Sequence, residues 1–263
     1  MTDVDIVQAG SGPIVILVHS SVAGARQWRR LMSDQEDPFH LIAVNLFGYV
    51  STPAWSGHLS QTLEDQARLV EAVVPEHKGK FSLIGHSFGG SVAMKAAAKF
   101  CSRIDNLILL EPNPFYLLDQ HGRRGAFAES MGLRDCIKEC GNADEWPKAA
   151  EKFANYWGGS ETWSTMTDER KATFTEALKP NFHEWDAVMD ETTTLLEWAE
   201  ALPRNAVVVS AQETVRPIRE IVELMQKNCS TWRYEQVSDG GHLAPLTHPD
   251  IVNPLVTSIL EGA

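Results

Sequence analysis

The pattern of apolar and polar positions changes character along the chain. Short apolar runs come first: "VDIVQ" (4–8), "PIVILVH" (13–19), "HLIAVN" (40–45), "KFSLIG" (80–85) and "IDNLILL" (104–110). Two more, "NAVVVSA" (205–211) and "STWRYEQV" (230–237), follow near the end. Several are unbroken Val, Ile and Leu without alternating polar residues, as strands covered on both faces of a parallel sheet require. Between them the apolar spacing turns helical. "QTLEDQARLVEAVV" (61–74) gathers Leu63, Ala67, Leu69, Val70 and Val73 on one side, "SVAMKAAAKF" (91–100) is rich in alanine, and "PIREIVELMQKN" (217–228) starts on a proline suited to a first turn. Strands alternating with helices predict an α/β fold with a doubly wound, mostly parallel sheet.

From about 113 to 203 the strand pattern stops. Trp146, Trp157, Trp163, Trp185 and Trp198 fall here, and "DEWPKAAEKFANYW" and "DERKATFTEALK" read as helices. The expected division is a core from 1–112 and 204–263, with a helical cap inserted at 113–203 over the carboxyl edge of the sheet.

Composition narrows the partners. The 263 residues carry a formal charge of −12, which speaks against nucleic acid or an anionic membrane and leaves a small molecule as the expected ligand. The amino terminus "MTDVDIVQAGSGP" lacks a basic segment followed by an apolar one, and the longest clean apolar run, Ile14 to Val18, is far too short for a membrane span. A cytoplasmic protein is expected, with self-association left open. The four cysteines stand at irregular spacings and read as free structural thiols, without the ligand set a metal needs.

The chemistry is concentrated in three places. "GHSFGG" (85–90) joins a strand to a helix and fits Gly-x-Ser-x-Gly, the turn that exposes a nucleophilic serine, here Ser87, at the top of a sheet. A serine hydroxyl needs a base. Among nine histidines, His242 in "VSDGGHLAPLTHPD" lies on a glycine-flanked loop after the last strand, whereas His248 reads as the boundary of the following helix. His86 is expected to pack beneath the turn. "LVHSS" ends an early strand in small residues; the N–H groups of Ser21 and of Phe88, the residue after the nucleophile, are the candidate oxyanion donors. His19 is expected to hold that loop's shape.

These three segments, in the order nucleophile, acid, histidine, resemble the α/β-hydrolase fold family of lipases, esterases, carbon–carbon hydrolases and haloalkane dehalogenases, over essentially the whole chain. The resemblance implies a serine, a histidine and a carboxylate. That family usually has glycine where Ser20 stands, and Asp-x-x-Gly-x-Gly where "NLFGYV" puts Asn45 and Val50. Its acid usually follows the next-to-last strand, where "SAQETVRP" offers only Glu213, with Thr214 in register with the usual acid. Some members place it after the strand that follows the elbow helix, which here is Glu111. Glu111 is preferred and Glu213 is the alternative. The implied reaction is acyl transfer through an acyl-enzyme, on a small or medium apolar ester, without metal or organic cofactor. Carbon–carbon hydrolysis of a diketone, perhydrolysis, or a non-catalytic ligand receptor on the same fold are the rival readings.

Overall fold

The apolar runs become strands, each within a few residues of where the pattern predicts. The computed structural model describes residues 3–34, 38–76 and 79–262. The strands are β1 (Ile6–Ala9), β2 (Ile14–Val18), β3 (His40–Val44), β4 (Phe81–His86), β5 (Ile104–Leu110), β6 (Val207–Ala211) and β7 (Arg233–Val237). They form one sheet in the order β1-β3-β2-β4-β5-β6-β7. All neighbouring pairs are parallel except β1 with β3.

Helices cover both faces: α1 (Arg29–Asp34), α2 (Leu63–Glu71), α3 (Phe88–Phe100), then α4 (Tyr116–Gln120), α5 (Arg124–Asn142), α6 (Trp146–Gly158), α7 (Asp168–Leu178), α8 (Asn181–Met189) and α9 (Leu195–Ala201). After β6 come α10 (Arg216–Asn228), α11 (Ala244–Thr247) and α12 (Pro249–Leu260). The side-chain alternation of a strand divides even a continuous apolar run between two cores. In β2, Val15 and Leu17 join a core with Trp28, Leu31 and Val256, while Ile16 and Val18 join the larger core that holds Val70, Val92 and Ala96.

Two boundaries differ from the expectation for physical reasons. Helix α2 ends at Glu71 because Val73 and Val74 donate to carbonyls three residues back, tightening the chain into a turn. Helix α3 starts at Phe88, so Gly89 and Gly90, which read as turn residues, lie in its first turn. The segment between β5 and β6 holds helices α4 to α9, joined by turns and loops, and no strand. The four cysteines are free; the sulfurs of Cys136 and Cys140 lie 4.0 Å apart. Among the described residues no helix is long and apolar enough to cross a membrane.

Candidate active site

Ser87 sits between the end of β4 and the start of α3 with φ 55° and ψ −118°. A non-glycine residue at positive φ is strained, and the conformation is held by its surroundings: the Ser87 N–H donates to the Leu110 carbonyl at 2.9 Å. The flanking glycines are there for space. A Cβ on Gly85 would come within 2.2 Å of the Gly89 carbonyl oxygen, and one on Gly89 within 2.4 Å of the carbonyl oxygens of Val18 and His19. The helix therefore starts against the sheet edge, and its N-terminal N–H groups lie beside the serine.

β5 pairs with β4, so its last residue is a lateral neighbour of the elbow. That residue's successor, Glu111, also has positive φ, 45°. The 3₁₀ turn Gly241–Leu243 returns the chain to the same edge. There Ser87 Oγ lies 2.9 Å from His242 Nε2, and His242 Nδ1 lies 2.8 Å from Glu111 Oε2. All three are buried. The carboxylate is fixed by two more donors: the Ala211 N–H reaches Oε1 at 2.7 Å and the Thr214 hydroxyl reaches Oε2 at 2.6 Å. Of the two candidate acids, the structure brings Glu111 to the histidine, and Glu213 faces solvent. Thr214, in register with the acid usual in similar chains, serves as a donor to the carboxylate instead. His248 stays away, at the start of α12, where its Nδ1 lies 2.8 Å from the Thr247 hydroxyl oxygen.

A second chain of hydrogen bonds fixes the loop after β2. The Leu46 N–H donates to His19 Nε2 at 3.1 Å, which leaves Nδ1 to donate to the Ser20 carbonyl at 2.7 Å. Ser20, standing where similar chains have glycine, is accommodated by Gln27: the Ser20 N–H and hydroxyl both donate to Gln27 Oε1 at 2.9 Å. The Gln27 amide donates to His86 Nδ1 at 3.0 Å, and His86 Nε2 donates to the backbone carbonyl of His242 at 2.9 Å. Both rings are neutral: burial lowers the pKa of His19 to about 4, and burial with the neighbouring His242 holds His86 well below its ordinary value. Gln27 thus ties the loop after β2, through His86, to the backbone of His242.

Ser21 and Phe88 line the pocket that holds Ser87, with Asn113, Asn181 and Glu184 among the other walls. The space between them is about 20 Å³, roughly one water molecule's worth. Its walls include Phe88, Phe115, Phe153, Trp157 and Trp185 but are not purely apolar. Glu184, on α8, is 1% exposed and makes no ion pair among the described residues; its carboxyl accepts from the Ser21 hydroxyl, from the Asn181 amide at 2.8 Å and from the Tyr49 hydroxyl at 2.8 Å. Tyr49 in turn accepts from the Val22 N–H at 2.8 Å. Burial raises the pKa of Glu184, opposed by these three donors, which favour the ionised form. From α6, the Trp157 ring stacks on His242 with centroids 4.1 Å apart. Glu184, Tyr49, Gln27 and Trp157 carry no motif, and the sequence reading did not single out any of them as part of the site.

The model of the alpha/beta hydrolase family matches residues 15–255. A human serine hydrolase-like protein is 30% identical over 109 residues, 41% of this chain and 53% of the relative. A pimeloyl-[acyl-carrier protein] methyl ester esterase of Nitrosomonas europaea is 23% identical over 117 residues, 44% of each. The chain thus spans about half the length of the curated relatives it matches. In three dimensions, a hydrolase from Pseudomonas aeruginosa superposes with a TM-score of 0.76 at 17% identity, covering 98% of this chain and 94% of the other. With its mostly parallel sheet, its strand-to-helix serine and a match that runs over nearly its whole length, the chain belongs to the alpha/beta hydrolase family.

Proposed function

We propose that the protein is a serine hydrolase that cleaves a carboxylic ester through an acyl-enzyme. The observation that carries this reading is the unbroken run of contacts from Ser87 Oγ to His242 and on to Glu111, at 2.9 and 2.8 Å. In this mechanism Ser87 Oγ attacks the ester carbonyl carbon while its proton passes to His242 Nε2. Glu111 holds the imidazole in the tautomer that presents Nε2 as acceptor, and stabilises the imidazolium that forms. The N–H groups of Phe88 and Ser21 receive the carbonyl oxygen as it gains charge; a donor of this kind contributes about 3–4 kcal/mol. Collapse expels the alcohol with the proton from His242, and water then repeats the sequence on the acyl-enzyme.

Helices α4 to α9 act in this reading as a cap over the site, and Trp157 is the side chain an entering acyl group displaces. An ester hydrolase among the relatives agrees with the assignment. The test is labelling of the full chain by a fluorophosphonate probe, together with hydrolysis of p-nitrophenyl esters. Both should be present in the wild type and absent from Ser87→Ala. A wild type that is neither labelled nor active points to a ligand receptor built on the same fold.

A further inference from the structure

Beside the catalytic pocket lies a larger groove whose charge the mechanism does not use. It encloses about 760 Å³ between the segment that follows β2, helices α6 and α7, and residues 243–247. Ser21, Phe153 and Trp157 line both the groove and the pocket of Ser87, so the two meet at these side chains. Part of the wall is apolar, with Met166, Phe174 and Leu246. The rest holds Arg26, Arg29, Arg30 and Arg170 against one acid, Glu169.

That balance runs against the rest of the molecule, which carries −12 overall. Elsewhere Arg68, Arg123, Arg134, Arg216, Arg219 and Arg233 each have a carboxylate within 4.0 Å, while Arg124 and Arg204 stand singly on the surface without an ion pair among the described residues. The four groove arginines are exposed and make no ion pair among the side chains the structure describes. Arg26 spends its Nε–H on the Ala23 carbonyl at 3.0 Å, which leaves its terminal amino groups for another partner. Four like charges around one concavity repel one another, and an acidic chain has carboxylates to spare for neutralising them. Guanidinium forks gathered at the mouth of a reaction site are suited to an anion that arrives with the substrate.

We propose that the groove binds the anionic end of the substrate, a carboxylate or phosphate, while an apolar stretch lies along Phe153 and Trp157 toward Ser87. The proposal rests on the ester hydrolase reading and replaces the expected apolar ester with an amphiphilic one.

The test compares matched pairs on the full-length wild type. The first pair is p-nitrophenyl pentanoate against mono-p-nitrophenyl adipate, which puts a carboxylate on the acyl side. The second is the butyryl thioester of N-acetylcysteamine against butyryl-coenzyme A, which puts phosphates on the leaving group. In one pair the anionic member should be favoured about tenfold or more in kcat/KM, the value of one charge-assisted hydrogen bond, and the favoured pair identifies the source of the anion. The preference should fade at about 1 M salt, where the screening length is about 3 Å. It should also disappear in the double variant Arg29→Gln with Arg170→Gln, while hydrolysis of the neutral member stays unchanged. Hydrolysis of neutral members with no preference in either pair, or a preference that survives the double variant, overturns the proposal alone. Failure to hydrolyse any of the four, with Ser87 unlabelled by fluorophosphonate, overturns the hydrolase reading and this proposal with it.

Discussion

The indole of Trp157 lies on the imidazole of His242, with centroids 4.1 Å apart and planes inclined by 29°. Helix α6 packs against the turn that carries the histidine, so this contact joins the helical insertion to His242. An aromatic face attracts a cation held over it by roughly 0.5–2 kcal/mol. The same ring bounds the small space beside Ser87. Two effects are expected in Trp157→Ala: kcat for p-nitrophenyl acetate falls by up to about tenfold from loss of the ring's attraction for the imidazolium, and octanoate gains relative to acetate in kcat/KM because the wall has opened. Trp157→Phe should stay near wild type. A chain-length preference unchanged in Trp157→Ala would show that the indole does not limit the acyl group.

Glu111 and Glu213 make opposite forecasts. Glu111 receives the His242 ring, the Ala211 N–H and the Thr214 hydroxyl, whereas Glu213 is exposed. In Glu111→Gln the amide can present a donor to the imidazole and favour the wrong tautomer, so kcat should drop by about 10³–10⁴-fold. Glu213→Gln should remain within about twofold, as surface substitutions usually do. Steady-state kinetics on one ester decide the matter, and a large loss in Glu213→Gln alone would remove Glu111 from its assigned role.

How far this could be read beforehand depended on the kind of signal. The strands were legible because burial on both faces leaves unbroken Val, Ile and Leu runs, and "IDNLILL" matches β5 (Ile104–Leu110) to the residue. The serine and histidine were legible because their loops need glycines at particular places. The acid stayed open between two glutamates until strand order was known: β5 lies between β4 and β6, so Glu111 stands beside both the elbow and Thr214. Val50, where similar chains have glycine, shows how a departure can mislead. The backbone still takes the left-handed turn, at φ 54°, with valine bearing the strain. Glu184 left no trace in the sequence pattern, and nothing there set Trp157 apart from the other four tryptophans of the insertion. Each is one polar or aromatic position on a helix, and its partners come from elements far away in the chain.

Glu184 should be worth more to stability than a surface carboxylate. Three side-chain donors, from Ser21, Asn181 and Tyr49, converge on it inside the protein. Glu184→Ala takes this acceptor from the buried Tyr49 hydroxyl and from the Asn181 amide, which keeps only Ser21 Oγ at 3.1 Å; a buried group left unsatisfied costs about 1–3 kcal/mol, so a loss of about 2 kcal/mol or more is expected. Glu184→Gln keeps one acceptor oxygen and should lose less. Urea denaturation of the three proteins measures the differences. An alanine variant within 1 kcal/mol of wild type, a loss the size of a single hydrogen bond, would mean the donors find other partners and the cluster does not brace the loop of Ser21.

Acid should weaken the fold through His19, and the sign follows from its neutral state. Its pKa lies at about 4 in the folded chain against 6.5 ordinarily. Between those values the unfolded chain binds a proton that the native ring refuses, so stability is full above 6.5 and falls as the pH drops toward about 4. At about 1.4 kcal/mol per pH unit that interval amounts to roughly 3 kcal/mol. His86, also held low by burial, acts in the same direction. Carboxylates contribute to acid denaturation as well, so the discriminating quantity is the difference between wild type and His19→Gln. The variant should be less stable near neutral pH, because the Leu46 N–H and Ser20 carbonyl lose a well-placed ring. Its further loss on acidification, measured by urea denaturation at several pH values, should be smaller than that of the wild type by about 3 kcal/mol. Equal pH dependence in the two proteins would mean that His19 takes up its proton in the folded state as readily as in the unfolded one, and that the ring is not the buried neutral brace of the loop.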